Sequence, residues 1–261
     1  MIDRDKVIRY YRASGDEILA AKLLDNAEVA EKSRKYKVTE FLDPYGLSMA
    51  ETVKAHSQGL LLSTSGGYAQ AERVKAVFLT EGYSSEVDFD IAALQFEWDE
   101  RYAELSHRDV LGGLLGMGIK REVVGDILML RNGCQVILDA AMSKLVLAEC
   151  SRLGAASVNV KAITLDAIVG REEKTKEIRA TVASLRLDSV AAAGFGMSRS
   201  KMAEEIEAER LKVNWKETRS TSHAVKVGDI LSMRGRGRVE VAEITGQTKK
   251  GRVGLLLKRF Y

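Results

Sequence analysis

The sequence predicts an α+β protein in three parts: N-terminal helices, a central domain of short strands mixed with helices, and a small basic C-terminal module of two short helices and a sheet. Three observations carry this reading. Apolar residues recur at helical spacing near the N-terminus, at Ile18, Leu19, Leu23, Leu24, Ala27 and Ala30. From about residue 58 the pattern changes to short apolar or alternating runs separated by glycines, as strands with tight turns require. Charge is unevenly divided: residues 179 to 261 hold 17 Lys and Arg against 9 Asp and Glu, a net of +8, while residues 1 to 178 hold 23 against 28, a net of −5.

Residues 3 to 38 are expected as helix, closed by the basic run Lys32 to Lys37, which suits the negative end of the helix dipole. Phe41-Leu42-Asp43-Pro44 breaks it, and Pro44 fits the first turn of a second helix reaching about His56. Together these make an N-terminal helical segment over residues 1–57. In a central domain over residues 58–168, Leu60 to Ser63, Val74 to Leu79 and Phe89 to Phe96 read as strands. Ser106 caps a helix to about Met117, with Asp109 completing a capping box. Asp126 to Leu130 and Cys134 to Leu138 flank Asn132-Gly133, a strong hairpin signal. A helix over Ala140 to Arg152 and a strand over Ser157 to Ile163 complete a split βαβ layout like that of RNA-recognition-motif domains. Residues 169–180, charged and without apolar period, are expected to be a linker. The C-terminal domain then spans 181–261.

At 261 residues the chain exceeds the roughly 250 at which single cores stop growing, consistent with several domains. No run approaches the roughly 18 apolar residues of a membrane span, and the N-terminus has no signal-peptide character, so a cytoplasmic protein without membrane contact is expected. Cys134 and Cys150 match neither zinc-ligand nor redox-pair spacing and read as free thiols; no metal and no cofactor are expected. The single proline, Pro44, argues against Pro-rich linkers.

The basic module carries the functional signal, because one-sided positive charge is the electrostatic footprint of nucleic-acid binding. Leu187, Val190, Ala191 and Ala192 give a short helix an apolar side, ended by Gly194 and Gly196, and Ser198 caps a second helix from Arg199 to about Glu209. The free N–H groups of that second helix, beside Arg199, Ser200 and Lys201, suit a phosphate. Read as one strand, residues 212–216 send Lys212, Asn214 and Lys216 to one face and Val213 and Trp215 to the other. Gly228-Asp229 turns into Ile230 to Met233, and Arg234, Arg236 and Arg238 follow on a glycine-rich loop suited to bidentate phosphate contact. The expected RNA face is therefore Arg186, Ser198, Arg199, Ser200, Lys201, Lys212, Asn214, Lys216, Arg234, Arg236 and Arg238. His107, Arg108, Lys120 and Arg121 of the central domain are a candidate second contact.

Arg186-Leu187-Asp188, Gly196 to Lys201, Val213 to Lys216 and Gly228-Asp229-Ile230 together resemble the RNA-binding domain named after the fourth small-subunit ribosomal protein, here the S-four domain. In the body, Phe41 to Pro44, Gly66-Gly67-Tyr68 with Ala71-Glu72-Arg73, His107 to Gly113, Gly118 to Glu122 and Gly125-Asp126-Ile127 resemble the bacterial YlmH family, which includes the photosystem II S-four domain proteins. The resemblance runs from about residue 36 to near the C-terminus. Residues 193 to 201 especially resemble the photosynthetic members and Asp43-Pro44 resembles the firmicute ones, leaving the subgroup open. The resemblance implies a non-enzymatic, monomeric protein that binds structured RNA (rRNA, tRNA or both) and associates with the ribosome. YlmH proteins act in ribosome-associated quality control on large subunits that retain peptidyl-tRNA.

Other motifs weaken on inspection. His107-Arg108-Asp109 matches a kinase catalytic loop, but there is no Gly-rich loop, no Asp-Phe-Gly, and Leu114 stands where the loop needs Asn. Gly112 to Gly118 lies within a helical pattern and makes a poor dinucleotide loop. Met197 to Lys201 resembles a synthetase signature without its upstream His-x-Gly-His. Competing functions are an RNA-modifying enzyme, of the pseudouridine synthase or rRNA methyltransferase type, and an accessory factor of photosystem II or cell division. Residues 60 to 165 carry neither the catalytic aspartate signature nor the Gly-rich cofactor loop of those enzymes.

Overall fold

The computed structural model of the chain describes residues 4–12, 15–33, 35–99, 101, 104–170, 175–248 and 251–260. It forms two compact units, residues 1–171 and 172–261. The helix expected across residues 3 to 38 is two helices, α1 (Arg4–Arg12) and α2 (Glu17–Ser33). The break is at Gly15, whose φ of +77° is one that glycine reaches without steric cost. Its N–H bonds Arg12 O at 3.1 Å and that of Asp16 bonds Tyr11 O at 3.1 Å, closing the first helix. α3 (Pro44–Ala55) starts as expected, with the Asp43 side chain accepting from the Gly46 N–H.

β1 (Leu60–Ser65) and β2 (Lys75–Thr80) pair with each other in a two-stranded antiparallel sheet. Leu60, Ala76 and Phe78 share a core with Val7, Leu23, Leu24, Met49 and Val53. These strands therefore complete the N-terminal helical layer, where the sequence placed them in the central domain. Apolar alternation shows that a strand face is buried but not what covers it.

The next elements are β3 (Ile91–Glu97), α4 (His107–Gly116), a 3-10 turn (Arg121–Val123), β4 (Val124–Leu130), β5 (Gly133–Asp139), α5 (Ala140–Glu149), the short pair β6 (Arg152–Leu153) and β7 (Ala156–Ser157), and β8 (Asn159–Ile163). The antiparallel order β4-β5-β3-β8 is the split βαβ layout that the sequence predicted. Leu94, Phe96, Cys134, Val136 and Leu138 pack beneath Val110 and Leu114 of α4 and Val146 of α5. α4 approaches closely at Gly113, where a Cβ would lie 2.4 Å from Leu153. Both cysteines are free and buried, and burial pushes the Cys134 thiol up to about 12.

The second unit holds β9 (Thr175–Val182), α6 (Leu187–Phe195), α7 (Arg199–Glu207), β10 (Leu211–Val213), β11 (Lys216–Glu217), β12 (Ile230–Met233), β13 (Gly237–Gln247) and β14 (Val253–Phe260). Its sheet is antiparallel in the order β11-β10-β12-β13-β14-β9. Of the expected linker at 169–180, residues 171–174 lie outside the described residues, and 175–180 are strand, paired along β14 from Thr175 opposite Phe260 to Val182 opposite Val253. The charged residues of β9 hid its period, since of its side chains only Ile178 and Val182 pack on the core. α6 continues through Gly194 to Phe195, and Gly196, with φ +66°, ends it. Both helices pack on one sheet face, where Leu187, Val190, Phe195, Met202 and Ile206 meet Leu211, Leu231, Val239, Val241, Leu255 and Leu257.

Among the described residues, no helix is long and apolar enough to cross a membrane and no cluster of three metal-ligating side chains occurs.

Candidate nucleic-acid interface

The corner where α6 and α7 begin brings five of the expected residues together. Arg186 is the residue before α6, fixed by an isolated β-bridge to Ala224, while the Leu187 N–H bonds His223 O at 2.9 Å. Ser198 caps α7: its Oγ accepts from the Lys201 N–H at 3.3 Å and lies 3.3 Å from Ser200 Oγ. Arg199, Ser200 and Lys201 stand exposed on the first turn. Buried between the helix starts is Asp188, whose Oδ2 accepts from Arg199 Nε at 2.8 Å and whose Oδ1 lies 3.6 Å from Arg186 Nε. Arg199 is thus held at one edge of its guanidinium. In the sequence Asp188 shows only as part of the Arg186-Leu187-Asp188 motif, and nothing in its eleven-residue separation from Arg199 announces the contact.

The remaining expected residues are placed differently. Residues 212–216 are not one strand: Asn214 and Trp215, at φ +48° and +65°, form the two-residue turn between β10 and β11. Both central residues at positive φ identify the hairpin turn type that Asn favours. The Asn214 amide donates to Asp229 Oδ1 at 2.9 Å and its Oδ1 accepts from the Ile230 N–H at 2.9 Å, so its side chain locks the β12 entry and does not project from a strand face. The turn also separates Lys212 from Lys216. Lys216 is paired opposite Val213, whereas Lys212 points to the sheet's other face and contacts Glu217 at 3.2 Å. Register places Ser232, Arg238 and Phe260 in the row with Lys212, away from the helices, and the Arg238 guanidinium lies 5.6 Å from the Phe260 ring centre. Arg234 and Arg236 are exposed on the turn between β12 and β13. The expected single cationic face is therefore divided between the two sides of the sheet.

In the first unit, His107 and Arg108 are exposed on the first turn of α4. Ser106 and Asp109 form the predicted capping box, and the hydroxyl and N–H of Ser106 hold the Asp109 carboxyl below its usual range. Lys120 is exposed, but Arg121 is turned inward, donating from Nη1 to Val124 O at 2.6 Å and Gly125 O at 3.3 Å. Burial pushes its pKa down to about 10. Arg121 thus holds the start of β4 from within, unlike the exposed Lys120 beside it.

Three motifs meet in a single seam beside it. Arg73 donates from Nε to Val124 O at 3.0 Å and from Nη2 to Phe41 O at 2.8 Å. Asp126 accepts from the Tyr68 hydroxyl at 2.8 Å and from the N–H groups of Glu72 and Arg73 at 2.7 and 3.1 Å. A Cβ on Gly125 would lie 2.9 Å from the Phe41 ring, so only glycine admits this approach. Nearby, the buried Lys75 Nζ bonds Asp139 Oδ2 at 2.7 Å and Asp90 O at 2.9 Å. The seam also closes the second face of the central sheet. Ile137 and Leu128 pack under Phe41, Tyr68, Ile91 and Ile168, and Gln135 is bonded to Ala167 O and the Val169 N–H at 3.2 and 2.7 Å.

Comparison with known proteins agrees with this architecture. Residues 17–81 match the family described as "YlmH, N-terminal", and residues 84–167 match "Putative RNA-binding domain in YlmH". Residues 176–243 match the C-terminal domain of mitochondrial transcription rescue factor 1, a match that begins within β9. The ribosome-associated protein quality control protein P2 of Bacillus subtilis is 34% identical over 238 residues, spanning 90% of this chain and 92% of that protein. The solved structure of the cell division protein ylmH from Streptococcus pneumoniae is similar in fold, with a TM-score of 0.51 and 21% identity, over 60% of this chain and 95% of that one. On the relation to the Bacillus protein and the two YlmH domain matches, the chain belongs to the YlmH family.

Proposed function

We propose that the chain is a cytoplasmic, ribosome-associated RNA-binding protein whose C-terminal unit docks structured rRNA or tRNA on the large subunit, in a quality-control or translation role. The observation that carries this reading is the α6–α7 corner, where Arg186, Arg199 and Lys201 surround a capped helix start in a unit of positive charge. The name of the Bacillus relative supports the ribosomal setting. Closure of the central sheet supports giving the primary contact to the C-terminal unit. RNA-recognition motifs stack bases on aromatics of the open sheet face, and here that face carries Ala93, Gln95, Gln135 and Ile137. A second contact through the central domain would run through His107, Arg108 and Lys120. The reading includes no chemical step.

Sedimentation of cell lysate tests it. The protein should travel with large subunits and be released by RNase, and its affinity should fall steeply with salt, by up to about 0.7 to 0.9 in log K per log salt for each phosphate contact. Migration as free protein at low and moderate salt alike would refute the ribosomal reading.

A further inference from the structure

Arg186 and Arg199 leave different elements of the second unit, one before α6 and the other at the first position of α7, yet both address the same buried carboxylate. The Asp188 side chain is only 8% exposed, while those of Arg186 and Arg199 are 46% and 51% exposed. The contacts are made at Nε, 3.6 Å away for Arg186 and 2.8 Å for Arg199. Among the described residues neither arginine engages a terminal amino group. Asp188 is itself fixed: its N–H bonds Thr221 O at 3.2 Å, and its Oδ1 accepts from the Ser189 N–H at 2.8 Å.

Resting on the RNA-binding reading above, we propose that Asp188 is a positioning residue, which hydrogen-bonds the Arg199 guanidinium at Nε and holds that of Arg186 beside it as an ion pair, and so aims their terminal amino groups outward at one phosphate-binding spot. A guanidinium has five donors in a rigid fork, so holding one of them orients the other four. Arginine on a flexible stem loses rotamer freedom when it clasps a phosphate, and a contact already in place removes part of that loss. Lysine cannot do the same, because its three donors sit on one freely rotating ammonium, so a contact to Asp188 does not aim a separate edge at the phosphate.

The proposal makes a prediction whose sign is informative. Asp188 is an anion beside a surface for a polyanion, so by charge alone its removal strengthens RNA binding. Positioning requires the opposite. The experiment measures binding of end-labelled, fragmented ribosomal RNA to the full chain, in a cycle of Asp188→Asn, Arg186→Ala/Arg199→Ala and all three together, with folding checked by melting temperature. Asp188→Asn should weaken binding by roughly tenfold, the size of one charge-assisted contact. The same substitution should have no further effect once both arginines are alanine. Arg199→Lys gives an independent arm that leaves Asp188 in place and keeps the charge. It should lose most of what Arg199→Ala loses. Tighter or unchanged binding by Asp188→Asn, an equal loss in the background lacking both arginines, or wild-type binding by Arg199→Lys would each overturn the assignment. The RNA-binding reading fails by a different result: no salt-dependent binding of this RNA by the unmodified chain.

Discussion

Replacing Lys75 with methionine tests the seam of the first unit most directly. The Lys75 residue is 2% exposed, its ammonium is 2.7 Å from Asp139 Oδ2 and 2.9 Å from Asp90 O, and it lies 5.3 Å from the centre of the Phe41 ring. Methionine keeps the stem volume and removes the charge, so the loss comes from the polar groups and not from a cavity. Breaking a buried ion pair costs about 3 to 5 kcal/mol when the remaining charge is fully enclosed. The Asp139 side chain is 26% exposed and also accepts from the Ala141 N–H at 3.0 Å, so part of that cost is relieved by water and by the helix cap. We expect a loss of about 2 to 3 kcal/mol. Urea unfolding followed by Trp98, which packs on the central core, reports this unit once Trp215 is replaced by phenylalanine. Asp139→Asn in the Lys75→Met background should recover about 1 kcal/mol or more, because the stranded anion is removed. A loss below about 0.5 kcal/mol, with no coupling to Asp139, would show that the buried pair does not hold β2 to the central domain.

Lys201→Ala should weaken RNA binding by about 1 kcal/mol with the melting temperature unchanged, since its side chain stands on an exposed first turn. Arg199→Ala should lower both affinity and stability, because it also takes a partner from Asp188; affinity titrations beside thermal melts separate the two. Leu187→Ala, at a fully buried position, should cost about 2 to 5 kcal/mol of stability in the second unit and lose RNA binding only through unfolding, as a melt will show. Cys134 predicts a pH dependence. Its thiol is raised from 9.0 to about 12 in the fold, so the unfolded chain ionises first, and the stability present below pH 9 is lost as pH rises above it. Urea titrations should show about 1 kcal/mol lost by pH 10 from this thiol, a decline reduced in Cys134→Ala and reduced further when Cys150, whose thiol burial also raises, is replaced as well.

How much of this was legible in the sequence depends on how far each determining contact reaches along the chain. The helix start at Pro44, capping at Ser106 and Ser198, the Asn132-Gly133 hairpin, and the apolar side of α6 are written in residues a few positions apart, and these were readable together with the split βαβ order. The charge division that points to RNA is a property of composition and needed no coordinates. Local chemistry also carried the break at Gly15 and the Asn214-Trp215 turn, but apolar periodicity and strand alternation masked them. Tertiary structure alone decided that β1 and β2 cover the N-terminal helices, that charged β9 is an edge strand, and that Arg121 faces inward. It alone also divided the cations between two sheet faces and seated Arg199 on Asp188. Periodicity reports that a side chain is buried or exposed, while the identity of its partner depends on packing between segments tens of residues apart, which no local pattern encodes.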